Sequence, residues 1–207
     1  YLEKRSSMTQ ISAKEIAELR AKTGMPMMEC KKALVEADGD EGKALEILKK
    51  RGADKAAQKS VERTVKSGLV ETYSHDGKIG VLVELGSETD FVARNEEFKK
   101  LAHDIALQVA AMNPLFVAPE NIPAEILEKE KADYMAEAKE QGKPEKIAQK
   151  IADGKLEKYY SEVCLTKQPF IKDQDKTIED LINELVAKIG EKIVVSRFAR
   201  FELGIFE

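Results

Sequence analysis

Asp90 and Phe91 are the residues with the clearest capacity for chemistry, here molecular recognition by a carboxylate beside a large aromatic ring. They lie in residues 87–95, Ser-Glu-Thr-Asp-Phe-Val-Ala-Arg-Asn, after an alternating apolar run and before an amphipathic helical pattern. This order predicts a strand-to-helix connection, where rigid elements often display binding residues. A phenylalanine there is either buried in the core or offered to a partner, and the local pattern favours neither alternative.

Signatures of catalysis are far weaker. The two histidines, His75 and His103, belong to no HxxxH or HExxH motif and to no Cys/His cluster, so we expect no metal site built on histidine. The sequence has no GxSxG, P-loop or GxGxxG motif. Carboxylates such as those of residues 125–131 have the spacing of a solvated helix face. A small enzyme of unknown type is therefore the weakest alternative, and we expect no catalytic residue, metal or cofactor.

The composition of the 207 residues indicates a globular protein with a highly charged surface, since 43% are hydrophobic and 35% are charged. The net charge of −4 argues against a general affinity for nucleic acid or anionic lipid. No apolar run approaches the ~20 residues that span a bilayer. Cys30 and Cys164 form no CxxC motif and favour a reducing compartment. We interpret residues 1–7 as disordered, or as the remnant of a leader or a cloning scar.

Residues 8–53 are predicted to form a compact module of three helices. Ser12 and Glu15 have the spacing of a capping box at the start of the first helix. Asp40 can cap the third helix, which the pattern ends at Gly52. A module of this size is close to the lower limit for independent folding, so it has little interior to spare for a catalytic site.

Residues 54–66, rich in alanine and charge without a wide apolar stripe, are predicted to be a helical or loosely ordered linker. Residues 67–207 then form the core domain. Two β-rich runs, 69–73 and 79–85, flank the Asp76-Gly77 pair, which is a strong hairpin signal. The sequence therefore predicts an antiparallel hairpin at the start of the core.

Helical spacings and one further strand candidate fill the rest of the core. Phe98 falls on the apolar face of a helix capped by Asn95, and Thr177 opens a helix with a second capping-box spacing. The last strand candidate spans residues 192–203. Its imperfect alternation places on one face Val195, Arg197, Ala199, Phe201 and Leu203. The predicted fold class is α+β, with a three-stranded antiparallel sheet packed with helices behind the amino-terminal bundle and linker.

Separated motifs in the right order resemble the short, single-core form of the elongation factor Ts family, the guanine-nucleotide exchange factors of elongation factor Tu. The motifs are residues 19–24 followed by 27–34, then 89–93, 168–172 and 197–204. The resemblance covers residues 9–204. It implies a translation elongation factor without bond-making chemistry or a cofactor, in the cytoplasm of a bacterium or in the matrix or stroma of an organelle.

The resemblance implies that the amino-terminal module is a ubiquitin-associated-type bundle that grips the nucleotide-binding domain of elongation factor Tu. Its implied contact residues are Arg20, Met27, Met28 and Lys31. Methionine suits an adaptive interface because its side chain is flexible and polarizable. From the residues alone, Met27 and Met28 have the alternative role of filling the bundle's own core.

Thr89, Asp90, Phe91 and Val92 match the family's exchange motif, and we call these four residues the exchange segment. The resemblance implies that Phe91 enters a cleft between helices of the partner's nucleotide domain, with Asp90 beside it. The resulting helix shift disturbs the partner's Mg²⁺ site. Because Mg²⁺ needs near-ideal octahedral geometry, a shift of about 1 Å would remove much of the affinity for GDP. GTP then displaces the factor.

The chain departs from longer family members because the sequence shows a single core subdomain. Short family members form dimers, so the resemblance implies a homodimer. An alternative from a different functional class is a ubiquitin-binding adaptor, which the amino-terminal bundle alone suggests. That alternative leaves residues 67–207 without a role.

Overall fold

The computed structural model describes residues 11–62, 64–142 and 144–205, with the backbone alone over 53–62. The interpretation of residues 1–7 lies outside the described residues. The described helices are α1 (Ala13–Thr23), α2 (Met27–Glu36), α3 (Glu41–Glu62), α4 (Asp90–Ala93), α5 (Glu96–Met112), α6 (Ala124–Glu140), α7 (Glu145–Val163) and α8 (Ile178–Ile189). The described strands are β1 (Ser67–His75), β2 (Ile79–Ser87), β3 (Pro169–Phe170), β4 (Asp173–Thr177) and β5 (Ile193–Glu202).

The first three helices form the predicted amino-terminal bundle. At the start of α1, the Glu15 amide donates to Ser12 Oγ at 3.2 Å and the Ser12 amide donates to Glu15 Oε2 at 2.7 Å, which confirms the capping box. The Lys43 amide donates to Asp40 Oδ1 at 3.0 Å and so caps α3. The core of the bundle includes the buried side chains of Leu19, Cys30, Ala33, Leu34 and Leu48.

The prediction that the third helix ends at Gly52 is wrong, because α3 continues to Glu62 through most of the predicted linker. A glycine inside a helix costs only about 1 kcal/mol relative to alanine. Gly52 is buried, and a Cβ at this position would lie 3.3 Å from the Cβ of Ala187 in α8. The missing side chain therefore lets α3 approach α8 closely, and the bundle packs against the core.

The core is built on an antiparallel sheet of strand order β1-β2-β5, as predicted. Asp76 and Gly77 turn the β1–β2 hairpin with positive φ angles of 49° and 66°, a conformation that aspartate and glycine adopt more readily than most residues. One face of the sheet packs against α5 and α8, and Phe98 is fully buried there, which confirms its predicted core position. The α+β fold class is confirmed.

The last strand forms as predicted, but a β-bulge makes the prediction of its shared face wrong. Adjacent residues of β2 pair with Val195 and Arg197, so Ser196 is left without a partner. The extra residue reverses which side chains face inward. Val195 before the bulge and Phe198 after it contact the core, whereas Arg197 and Phe201 lie on the outer face. Val195 therefore does not share a face with Arg197.

A helical hairpin and a short β-ribbon lie between α5 and α8 in the sequence. Helices α6 and α7 form a hairpin in which small side chains, among them Ala138, Ala148 and Ala152, are buried. The sequence predicted both helices, and α7 continues through Gly154 without interruption. It did not predict the β3–β4 ribbon, because the mostly exposed β4 reads Asp-Gln-Asp-Lys-Thr and has no apolar alternation.

Candidate partner-binding site

The exchange segment connects β2 to α5, as the sequence predicted. Thr89 has an extended backbone, with φ −127° and ψ 154°, and Asp90–Ala93 follow as the single helical turn α4. Asn95 then begins α5, since its Oδ1 accepts a hydrogen bond from the Glu97 amide at 2.8 Å. A strand and a long helix thus fix the two ends of the segment.

Phe91 is the most exposed large hydrophobic side chain among the described residues, with 83% of its surface accessible. Val92, the next residue, is only 2% accessible, and it belongs with Ala93 to the core cluster beneath the sheet. Successive residues of a helical turn point in different directions, so the burial of Val92 turns Phe91 away from the core. Of the two alternatives that the sequence left open, the structure has Phe91 on the surface.

Thr89 is held by Glu191, a residue 102 positions later in the chain. The Thr89 amide donates to Glu191 Oε2 at 3.1 Å, and the Thr89 hydroxyl donates to Glu191 Oε1 at 2.8 Å. Ser87 Oγ donates to the Thr89 carbonyl oxygen at 2.9 Å. The polar atoms of Thr89 are therefore engaged within the chain. Sequence reasoning missed Glu191, because no local pattern connects it with a residue so distant in sequence.

Asp90 forms an exposed ion pair within the segment's own turn. Its Oδ2 lies 2.5 Å from Arg94 Nη2, and both side chains are largely accessible to solvent. Exposed ion pairs of this kind contribute about 0–1 kcal/mol. A partner can therefore replace Arg94 as the neighbour of Asp90 at little cost. Thr89, Asp90 and Phe91 are all exposed, but Thr89 is hydrogen-bonded to Glu191, so Asp90 and Phe91 are the residues of the segment best placed to meet a partner.

The residues predicted for the amino-terminal contact also lie on the surface. Arg20 is exposed near the end of α1, and Lys31 is exposed on α2. Met27 and Met28, at the start of α2, are 50% and 61% accessible, so the alternative that they fill the bundle's own core is wrong. Met25, by contrast, is buried in this core. The predicted contact residues lie on α1 and α2, whereas the exchange segment lies between β2 and α5.

Both histidines contact side chains of β1, and both cysteines are buried. His75 Nδ1 is 3.1 Å from Tyr73 Oη, and His103 Nδ1 is 3.1 Å from Glu71 Oε1. Burial raises the pKa of the Cys164 thiol to about 11, so this thiol stays protonated near neutral pH. Across residues 11–62, 64–142 and 144–205, no three His, Cys, Asp or Glu side chains are grouped so that they could hold a metal ion. None of the helices described in these ranges has the length and apolar character needed to cross a membrane.

Comparisons with known proteins agree with one another. The family model described as Elongation factor TS matches residues 12–205. A relative from Desulforamulus reducens named Elongation factor Ts is 54% identical over 198 residues, which make up 95% of this chain and 91% of the relative. Relatives of the same name from Moorella thermoacetica and Thermotoga petrophila are 53% and 55% identical over 94% of this chain, and the matches cover 96% and 97% of those relatives. The chain therefore belongs to the elongation factor Ts family.

Proposed function

We propose that this member of the elongation factor Ts family binds elongation factor Tu carrying GDP and promotes the release of GDP. The observation that supports the proposal most is the 83% exposure of Phe91 beside a residue, Val92, that is fixed in the core. Leaving a phenylalanine side chain in water forgoes about 1.5–3 kcal/mol of burial energy, which a partner can recover by enclosing the ring.

In this mechanism the exchange segment acts as a wedge. Phe91 enters a cleft between helices of the partner's nucleotide domain, and Asp90 lies beside it. The energy of burying the ring drives a displacement of those helices. Because Mg²⁺ requires near-ideal octahedral coordination, a displacement of about 1 Å disturbs the Mg²⁺ site and weakens the hold of the partner's phosphate loop on GDP.

Phe91 can displace the partner's helices only if the residues on either side of it are held in place. Val92 and Ala93 are buried in the main core cluster, directly behind the exposed ring. Thr89, on the other side of the ring, is tied by two hydrogen bonds to Glu191. Movement of Phe91 relative to its own domain would disrupt these contacts, so the displacement falls on the partner.

The amino-terminal module supplies the second contact, which grips the nucleotide-binding domain of the partner. Met27 and Met28 offer flexible, polarizable side chains at the start of α2, and such side chains adapt to the shape of a facing surface. Arg20 on α1 and Lys31 on α2 add positive charge to the exposed surface of the module. This contact holds the factor on its partner while the wedge acts elsewhere.

The proposed activity is a thermodynamic coupling and requires no bond to be made or broken. If the factor lowers the affinity of the partner for GDP, GDP must lower the affinity for the factor by the same ratio. A transient ternary complex lets GDP leave faster, and GTP then displaces the factor. The factor needs neither a catalytic residue nor a cofactor of its own for this cycle.

We also propose that the chain forms a homodimer through the outer face of the β1-β2-β5 sheet. Val70, Leu82 and Phe201 point outward on three adjacent strands and are 60%, 45% and 69% accessible. Exposed apolar side chains gathered on one open sheet face are typical of interaction surfaces. Light scattering should give twice the mass of one chain, and Leu82→Glu should give a single-chain mass. A single-chain mass for the wild type would reject the homodimer.

We place the protein in the cytoplasm of a bacterium, because the relatives named above come from bacteria. We propose no nucleic-acid or membrane partner, since the net charge of −4 disfavours polyanionic surfaces. The alternative of a ubiquitin-binding adaptor rests on the amino-terminal bundle alone. The family model matches residues 12–205, of which the bundle is only one part, so we do not favour this alternative. Labelled ubiquitin titrated with the full chain should show no chemical-shift change.

The exchange function is tested by measuring GDP release directly. Elongation factor Tu loaded with fluorescent GDP is mixed with excess unlabelled GDP, and the fluorescence decay is followed with and without the chain at micromolar concentration. We expect the decay to become faster with increasing factor and to reach a maximal rate. Unchanged release at saturating factor would defeat the proposal.

A further inference from the structure

We propose that Glu191 is a positioning residue that holds the exchange segment in the geometry needed to displace a partner's helices. This role rests on the exchange function proposed above. The Glu191 carboxylate accepts two hydrogen bonds from Thr89, one from the amide at 3.1 Å and one from the hydroxyl at 2.8 Å. Each carboxylate oxygen has its own donor, so the two bonds restrain the orientation of Thr89 as well as its place.

A second contact between the same two loops reinforces the first. The Lys192 amide donates to Glu88 Oε1 at 2.6 Å. Each loop therefore supplies one carboxylate that accepts a backbone hydrogen bond from the other loop, Glu88 from residues 88–89 and Glu191 from residues 191–192. Thr89 immediately precedes the turn that presents Phe91, and its carbonyl oxygen accepts the first backbone bond of that turn from the Ala93 amide at 3.4 Å.

Phe91 thus projects between two anchors of different kinds. On its carboxy-terminal side, Val92 is fixed by burial in the apolar core. On its amino-terminal side, apolar burial is lacking because Thr89 is exposed, and the carboxylate of Glu191 takes its place. Fixing the segment before binding removes an ordering cost that the complex would otherwise bear. Loss of the Glu191 anchor should therefore reduce how effectively Phe91 displaces the partner.

The loop that holds the segment is itself tied to the amino-terminal module through α8. Near the end of this helix, Ala187 lies against Gly52 of α3, and Lys188 lies against Gly24 after α1. Gly190 then ends α8 in a left-handed conformation with φ 88°, which brings the chain directly to Glu191. One helix therefore connects both proposed contact regions, so Glu191 also fixes the position of the exchange segment relative to the module.

The first experiment compares Glu191→Ala and Glu191→Gln with the wild type in the fluorescent GDP release assay, over a range of factor concentrations. We expect the maximal rate to fall about tenfold in Glu191→Ala, because two hydrogen bonds to a charged acceptor are lost. Glu191→Gln keeps one oxygen acceptor, so its maximal rate should lie between those of the wild type and Glu191→Ala. The half-saturating concentration should change little, since the amino-terminal contact is intact. Glu179→Ala, which removes an exposed α8 carboxylate paired with Lys167, is the matched control and should keep the full rate.

Two further readouts separate positioning from a loss of folded protein. Glu191→Ala should cause no additional loss of rate in a Phe91→Ala background, whereas a general folding defect would lower the rate in both backgrounds. In the free chain, hydrogen exchange at the Thr89 amide should become about tenfold faster in Glu191→Ala and stay unchanged in Glu179→Ala, because the Glu191 bond protects this amide.

The possible failures are distinguishable. If the wild-type chain does not accelerate GDP release, the exchange function fails and the role of Glu191 in it fails as well. If the wild type is active and Glu191→Ala retains its full maximal rate, only the positioning role is overturned. An equal loss of rate with and without Phe91 would also overturn it, since Glu191 would then act by a route independent of the ring.

Discussion

The exchange segment and the surface of the amino-terminal module expose apolar side chains in two different ways. In the segment, the single ring of Phe91 projects from a turn in which Val92 is buried and Thr89 is hydrogen-bonded to Glu191. On the module, Met27 and Met28 lie at the start of one helix with half or more of their surface accessible. A stiff aromatic on a fixed base suits displacement, whereas flexible thioethers suit adhesion. We therefore expect the segment to set the maximal rate of exchange and the module to set the affinity.

Phe91→Ala gives the largest expected effect and tests the first half of this comparison. Truncating a central aromatic contact typically costs about 2 kcal/mol or more, so the maximal rate of stimulated GDP release should fall at least tenfold. The thermal midpoint of the free chain should stay unchanged, because the ring has no core contacts to lose. An unaltered release rate would remove the ring from the mechanism.

The double variant Met27→Ala/Met28→Ala tests the second half. The half-saturating concentration should rise about fivefold through the loss of apolar contact area, while the maximal rate stays close to that of the wild type. Met25→Ala is an informative contrast, since this buried methionine should affect thermal stability instead. A fall in the maximal rate, with no change in half-saturation, would contradict the assignment of affinity to the module.

Thr89→Val gives the smallest expected effect and sharpens the account of the fixed base. The substitution keeps the shape of the side chain but removes the hydroxyl that donates to Glu191 at 2.8 Å. The amide bond to Glu191 remains, so the maximal release rate should fall only about threefold. Thr89→Ser retains the hydroxyl and should behave like the wild type. If valine and serine give equal rates, the hydroxyl bond has no part in exchange.

Much of the fold could be predicted because its signals are local. The capping boxes at Ser12 and Thr177, the hairpin at Asp76-Gly77 and the helix cap at Asn95 each involve residues within a few positions of one another. Their geometry depends on backbone hydrogen bonds that short-range spacing specifies. The sequence likewise located the exchange segment between a strand and a helix.

The features that could not be predicted depend on contacts between distant parts of the chain. Gly52 lies inside α3 with Ala187 of α8 against it, a contact that no local pattern indicates. The bulge at Ser196 becomes apparent only when β5 pairs with β2. Glu191 reaches Thr89 only in the folded chain, so the device that fixes the segment has no signature in sequence. The exposure of Phe91 was undecided for the same reason, since it follows from the burial of Val92.

Placing a reporter at position 91 tests the central claim most directly. The sequence contains no tryptophan, so Phe91→Trp introduces a single indole, which should emit in the free chain as a solvent-exposed group. The variant is mixed with nucleotide-free elongation factor Tu, and the spectrum of the same mixture made with wild-type chain is subtracted. We predict that the emission maximum of the indole shifts to shorter wavelength and that excess GDP or GTP reverses the shift. Unshifted emission in a complex whose formation is confirmed by gel filtration would show that residue 91 stays in water, and would contradict the wedge.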